Sequence, residues 1–286
     1  MTPLPLMTET PLWLVNLFLL LYSGSVFFAL WVIDSGRRTL VPHLATAMVI
    51  GLLGFTAGGF ITVPTAIGAM ACFTLVATLY MNVSQRWKRQ IRYGGMVLGL
   101  LAGFHLVPGV SDVPLWSRWW QEGGRLLPFD FSLDKAFAGL LLALIAAQFH
   151  PQRRSWRRVW IAPLGALGLI ALVLLFGHPL DWQWSRYTPA LLFVNLVVTC
   201  FAEELFFRGA LQRELMLYLS PLPAIAITAV LFGVAHSGHG WEFTLLATLA
   251  GALYGSVYFR TGALSLAVLT HFAVNAGWIL LFPSVR

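Results

Sequence analysis

Ten apolar runs, parted by short polar or proline-bearing breaks, dominate this chain: residues 12–33, 41–61, 64–83, 94–110, 134–149, 159–177, 187–203, 222–236, 243–259 and 263–282. Hydrocarbon offers no partner for a free N–H or C=O. A segment that crosses it must satisfy its own backbone, as a helix of about 20 apolar residues does. The repetition therefore leaves one fold class, an all-α, polytopic transmembrane helical bundle with roughly 8–10 membrane helices. Composition agrees, since 58% of the 286 residues are apolar and 10% are charged, against about 25% charged in a soluble domain. Some of the runs are short, and these are expected to tilt, re-enter or lie inside the bundle.

A formal charge of +7 would suit a nucleic-acid binder, but its distribution does not. Arg37 and Arg38, then Arg86, Lys88, Arg89 and Arg92, then Arg153, Arg154, Arg157 and Arg158 fall in three alternate loops. The loops between them hold only Arg118, Arg125 and Arg186, beside Asp112, Glu122, Asp130 and Asp181. Ten basic residues against three is a positive-inside asymmetry. It places the three basic loops in the cytoplasm, against anionic headgroups, and the N-terminus outside. The lipid bilayer is the expected surrounding, no nucleic acid is expected as a partner, and a bacterial cytoplasmic membrane is the expected location. Trp87, Tyr93, Trp156, Trp160, Trp182, Trp184 and Tyr187 gather at the span ends, as interfacial aromatics do. Trp116, Trp119 and Trp120 suggest that the long loop 111–133 lies on the outer surface. Glu9, with no basic residue before the first apolar run, is not a signal-peptide pattern, so the first span is expected to remain a membrane helix.

Gly95, Gly99 and Gly103 are spaced by four, as are Gly251 and Gly255, which is the spacing of close helix contacts in lipid. Cys72 and Cys200 sit in apolar runs and read as small buried hydrophobes, with neither a disulfide nor a metal pair. In the first four runs His105 is the ionisable exception, and a packed or hydrogen-bonded role suits it. The last hundred residues hold Glu203, Glu204, Arg208, His236, His239, Glu242, His271 and Asn275. The chain thus divides into N-terminal membrane helices with the outer loop, 1–133, and a chemically equipped helical core, 134–286.

Ionisable groups at membrane depth are costly unless paired or solvated, so they mark candidate sites. On a helix Glu204 and Arg208 stand one turn apart and can pair. Glu203 is left on the adjacent face, available as a general base. Phe232 and His236 close one apolar run, while His271 and Asn275, also one turn apart, can point at one site from another. A carboxylate, two histidines and an asparagine together offer a base, proton donors and hydrogen-bond donors.

Glu203-Glu204-x-x-x-Arg208, then Phe232-x-x-x-His236, then His271-x-x-x-Asn275 resembles the three ordered motifs of the CPBP family. These are the CaaX-protease and bacteriocin-processing-type intramembrane proteases related to the Ras-converting enzyme, and the resemblance covers about 187–282. It implies an intramembrane endopeptidase acting on a membrane-associated peptide or protein. By position, Glu203 would activate water with His236, while His271 and Asn275 would stabilise the oxyanion. Glu204, Arg208 and Phe232 would orient the site. No cofactor is required in that reading. One glutamate and two histidines are also a catalytic zinc ligand set, so Glu203, His236 and His271 are the alternative metal ligands, although no His-Glu-x-x-His helix is present. A non-catalytic membrane scaffold or immunity protein is the alternative from another class.

Other polar residues read more plainly. His239 and Glu242 suggest a solvated loop, and His43, His150 and His178 interfacial positions. Arg213 and Glu214 suggest an amphipathic stretch at the surface. One conflict remains in the run boundaries. If every run crossed fully, Glu203 and His236 would lie about 20 Å apart. The conflict disappears if one continuous helix runs from near Tyr187 past Arg208, or if the hairpin re-enters.

Overall fold

The computed structural model of the protein describes residues 12–110, 113–114, 130–149, 159–182, 184–185 and 188–282. Outside these lie the tryptophans of the 111–133 loop, Trp156 and Tyr187, together with His150. The basic group Arg153–Arg158 lies outside them too, as do the acidic and basic residues Asp112, Arg118, Glu122, Arg125 and Arg186. The described residues form ten helices. The first five are α1 (Leu12–Ser35), α2 (Val41–Ala57), α3 (Val63–Ala77), α4 (Gln85–Gly103) and α5 (Leu133–Ala146). The others are α6 (Ile161–Leu175), α7 (Thr188–Leu215), α8 (Pro221–Ala235), α9 (Trp241–Thr261) and α10 (Leu264–Leu281). Between α4 and α5 a two-residue antiparallel pair joins β1 (Val113–Pro114) to β2 (Asp130–Phe131).

Local chemistry accounts for many of the ends. Prolines occupy the first turns of α2, α3 and α8, where a missing N–H costs nothing. Ser84 caps α4 by accepting from the Trp87 N–H. Gly262, at φ 69°, takes the left-handed conformation that stops α9. Four segments are long and apolar enough to cross a membrane: Arg38–Ala57, Val63–Tyr80, Thr188–Leu215 and Leu264–Leu281. The chain is an integral membrane protein. Trp87 and Trp160 are exposed at helix starts and Trp182 and Trp184 between α6 and α7, whereas the exposed Tyr93 lies in the middle of α4.

Contacts divide the chain into two units after Gln148. In the first, α5 is buried along most of its length and packs on α1, α2, α3 and α4. This differs from the division at 133, which composition alone had suggested. The reason is visible in α4, where Gly95 and Gly99 meet Ile145 and Leu142 so closely that a Cβ would clash. Gly103 meets nothing. Arg86, Lys88, Arg89 and Arg92 are not loop residues, since they form the opening turns of α4. His105, at φ 56°, pairs through Nδ1 with the buried Asp134 at 3.1 Å. Cys72 and Cys200 are both free thiols.

In the second unit α7 is the axis of the fold. The apolar reading ended this run at 203, whereas the helix continues to Leu215. Arg213 and Glu214 are correspondingly buried within it rather than lying on a surface stretch. The Arg213 guanidinium sits 5.4 Å and 5.5 Å from the Phe149 and Tyr258 ring centres. The longer helix resolves the conflict in depth. From Glu203 to Leu215 the chain climbs about 18 Å, and from Pro221 to His236 the return along α8 covers about 22 Å. The hairpin therefore brings His236 back to the level of Glu203.

Helix α8 packs on α9 over small residues. A Cβ on Gly233 would come within 1.9 Å of Thr248 Oγ1 and 2.7 Å of the Thr244 carbonyl, and one on Gly251 within 3.1 Å of the Ala229 Cα. Because backbone atoms are among these contacts, a larger side chain must push the helices apart. Gly233→Ala is expected to cost about 1–3 kcal/mol through overpacking. A lowered thermal unfolding midpoint in detergent would report it, and an unchanged midpoint would show that the pair can yield.

Candidate active site

Two π-helical segments, Asn195–Cys200 and Leu205–Gln212, flank a single α-helical turn that carries Glu203 and Glu204 in α7. Such wide turns are rare and concentrate at functional sites. Glu204 and Arg208 are completely buried and bonded at 2.7 Å from Nη1 to Oε1. Nη2 of Arg208 donates to the Gly251 carbonyl at 2.7 Å. The guanidinium carbon lies 5.0–5.6 Å from the ring centres of Phe207, Phe232 and Tyr254. Charge, hydrogen bonds and π-faces together compensate a cation that would otherwise be prohibitive at this depth.

Glu204 Oε1 also accepts from Nδ1–H of His271 at 2.8 Å. The His271 ring stacks on Tyr254 at 4.6 Å between centres, which fixes its plane. Nδ1–H of His236 donates to the Phe232 carbonyl at 2.7 Å. With both Nδ1 atoms committed, each ring turns its Nε2 to one point. Glu203 Oε2 lies 4.0 Å from Nε2 of His236 and 3.9 Å from Nε2 of His271. It is buried and has no hydrogen-bond partner. A buried acceptor in that condition is unfavourable unless something small bridges the gap. His271 is 3% exposed and His236 25%, so His236 is the more open of the two.

The spacing bears on a metal. Both imidazoles are anchored at Nδ1, as ligating histidines are. A tetrahedral zinc at about 2.0–2.1 Å from its ligands would hold them about 3.4 Å apart, closer than the separations seen here. Among the described residues no group of three His, Cys, Asp or Glu side chains is placed to hold a metal ion. A water accepting and donating at about 2.8 Å fits the gap without movement.

A cavity of about 230 Å³ opens beside this point, with Asn195, His236, Tyr254, His271 and Asn275 in its lining. Leu169 and Val173 of α6, Leu246 of α9 and Trp278 of α10 form part of an apolar wall. Asn275 does not reach the glutamates in this arrangement. Its Nδ2 donates to Asn195 Oδ1 at 3.3 Å and approaches Cys200 Sγ at 3.7 Å. Asn195 itself escaped sequence reasoning, although one signal was available: it is a carboxamide inside an uncharged span, eight residues before Glu203. Other candidates lie elsewhere. His178, read as interfacial, pairs with Glu242 at 3.3 Å, and His239 packs on Phe243.

Residues 183–277 match a family model described as Rce1-like, type II CAAX prenyl endopeptidase. The matched segment contains all three motifs and bears out the family resemblance over that third of the chain. No curated protein and no solved structure matches the chain.

Proposed function

We propose that the protein is a CAAX-type intramembrane endopeptidase in which Glu203 activates the hydrolytic water. The observation that carries this reading is the orphaned Glu203 Oε2, facing two imidazole nitrogens across a gap one water wide. Glu203 takes a proton from that water as it attacks the scissile carbonyl, and His236 positions the water. Glu203 hands that proton to Nε2 of the more open His236, which passes it to the departing amine as the C–N bond breaks. His271 and Asn275 donate to the oxyanion, and Glu204, Arg208 and Phe232 hold His271 and His236 in place. With Nδ1–H of His271 bonded to Glu204, a proton on its Nε2 would supply one of these donors.

The substrate in this reading is a membrane-associated protein or peptide with an apolar group beside the scissile bond, matched to the cavity wall. A prenylated CAAX peptide is the probe that the family match suggests. The basic loops face the cytoplasm in the orientation we propose. Purified protein in detergent should cleave a quenched-fluorescent farnesylated CAAX peptide, and failure to cleave would count against this substrate class. The anchored Nδ1 atoms keep zinc as a second reading. Activity is expected to survive prolonged chelation. Loss on chelation with return on adding Zn²⁺ would establish the metal mechanism instead.

A further inference from the structure

We infer that Asn195 is a positioning residue for the oxyanion donor Asn275, an inference that rests on the reading above. A carboxamide can present either its oxygen or its nitrogen to a site, and only the nitrogen stabilises a developing negative charge. Asn195 Oδ1 settles that choice. It accepts from Nδ2 of Asn275 at 3.3 Å and from the Cys200 thiol at 3.2 Å. Both acceptor positions of one oxygen are thereby used, and Asn275 has no orientation that keeps this bond with its oxygen on Asn195. The NH2 of Asn275 is held on Asn195, and its second contact is the weak Cys200 Sγ acceptor at 3.7 Å, which a substrate oxygen can replace.

The backbone explains the reach. Asn195 and Cys200 are five residues apart at the two ends of a π segment, the spacing at which a π turn closes. A regular α-helical turn would set residues three or four apart over one another instead. Asn195 lies in α7 and Asn275 in α10, and both line the cavity that contains His236 and His271. A group 80 positions away in sequence thus joins the site through a single hydrogen bond.

The test compares Asn195→Leu, Asn275→Ala and the double variant on the farnesylated CAAX peptide, with Glu203→Ala alongside. Asn195→Leu is expected to lower kcat by about tenfold to a hundredfold, with KM within about threefold of wild type. Asn275→Ala should lower kcat by about 10²–10³, and the double variant should be no slower than Asn275→Ala. A purely structural defect would move KM and the unfolding midpoint and would multiply with Asn275→Ala. That pattern, or wild-type kcat in Asn195→Leu beside an inactive Glu203→Ala, overturns this inference alone. Wild-type cleavage by Glu203→Ala overturns the proposed mechanism with it.

Discussion

Glu203→Ala is expected to reduce peptide cleavage by about 10⁴-fold, the upper range for loss of a general base, while leaving the protein as stable as wild type or slightly more so. Both halves follow from the same atom. Oε2 of Glu203 is buried without a partner in the protein, so its removal gives up no protein–protein hydrogen bond and removes the cost of burying a carboxylate. Functional groups held in this way commonly exchange stability for activity. Turnover and unfolding midpoint measured on one preparation check the pair. A drop of several degrees would show that Glu203 serves the fold, and retained turnover would remove it from the mechanism.

The largest effect on stability is expected at Arg208. Replacing it by methionine keeps much of the volume but strands the Glu204 carboxylate, which is fully buried. Removing one partner of a buried ion pair costs about 3–5 kcal/mol, because the survivor is left uncompensated. The double variant Glu204→Met/Arg208→Met removes both charges and should recover much of that loss. Its turnover should nevertheless stay low, since His271 loses the acceptor that holds its Nδ1. Unfolding midpoints of the single and double variants decide the matter. If the double is no more stable than Arg208→Met, lost packing against Phe207, Phe232 and Tyr254 is the cause rather than stranded charge.

How far the sequence reaches is clearest at α7. Ten apolar runs correspond to ten helices because burial of backbone polar groups leaves no other solution. The end of the seventh could not be read that way. Arg208, Gln212, Arg213 and Glu214 look like a departure from the membrane, and each is buried. Two of them reach another helix, Arg208 Nη2 donating to the Gly251 carbonyl at 2.7 Å and Gln212 Nε2 to the Gly255 carbonyl at 3.1 Å. Pairing between Glu204 and Arg208 was legible because it is local, four residues on one helix. The convergence of His236 and His271 on Glu203 was suggested by motif order, yet its depth depends on the lengths of two helices. Asn195 gives only the faint signal of a carboxamide in an uncharged span, because its partner is 80 positions away and its chemistry unremarkable outside that contact.

In the proposed reaction, the position of His236 bears on where each cycle would obtain its water. It stands one residue past the end of α8, directly before the exposed Ser237–His239 turn and Gly240. One helical turn, about 5 Å, separates the reaction point from a polar loop. Hydrolysis consumes a water molecule with every bond cut, and a site embedded deep in acyl chains would be limited by resupply. Here the replacement has only that short distance to travel, and no aqueous channel through the bundle is needed to refill the gap.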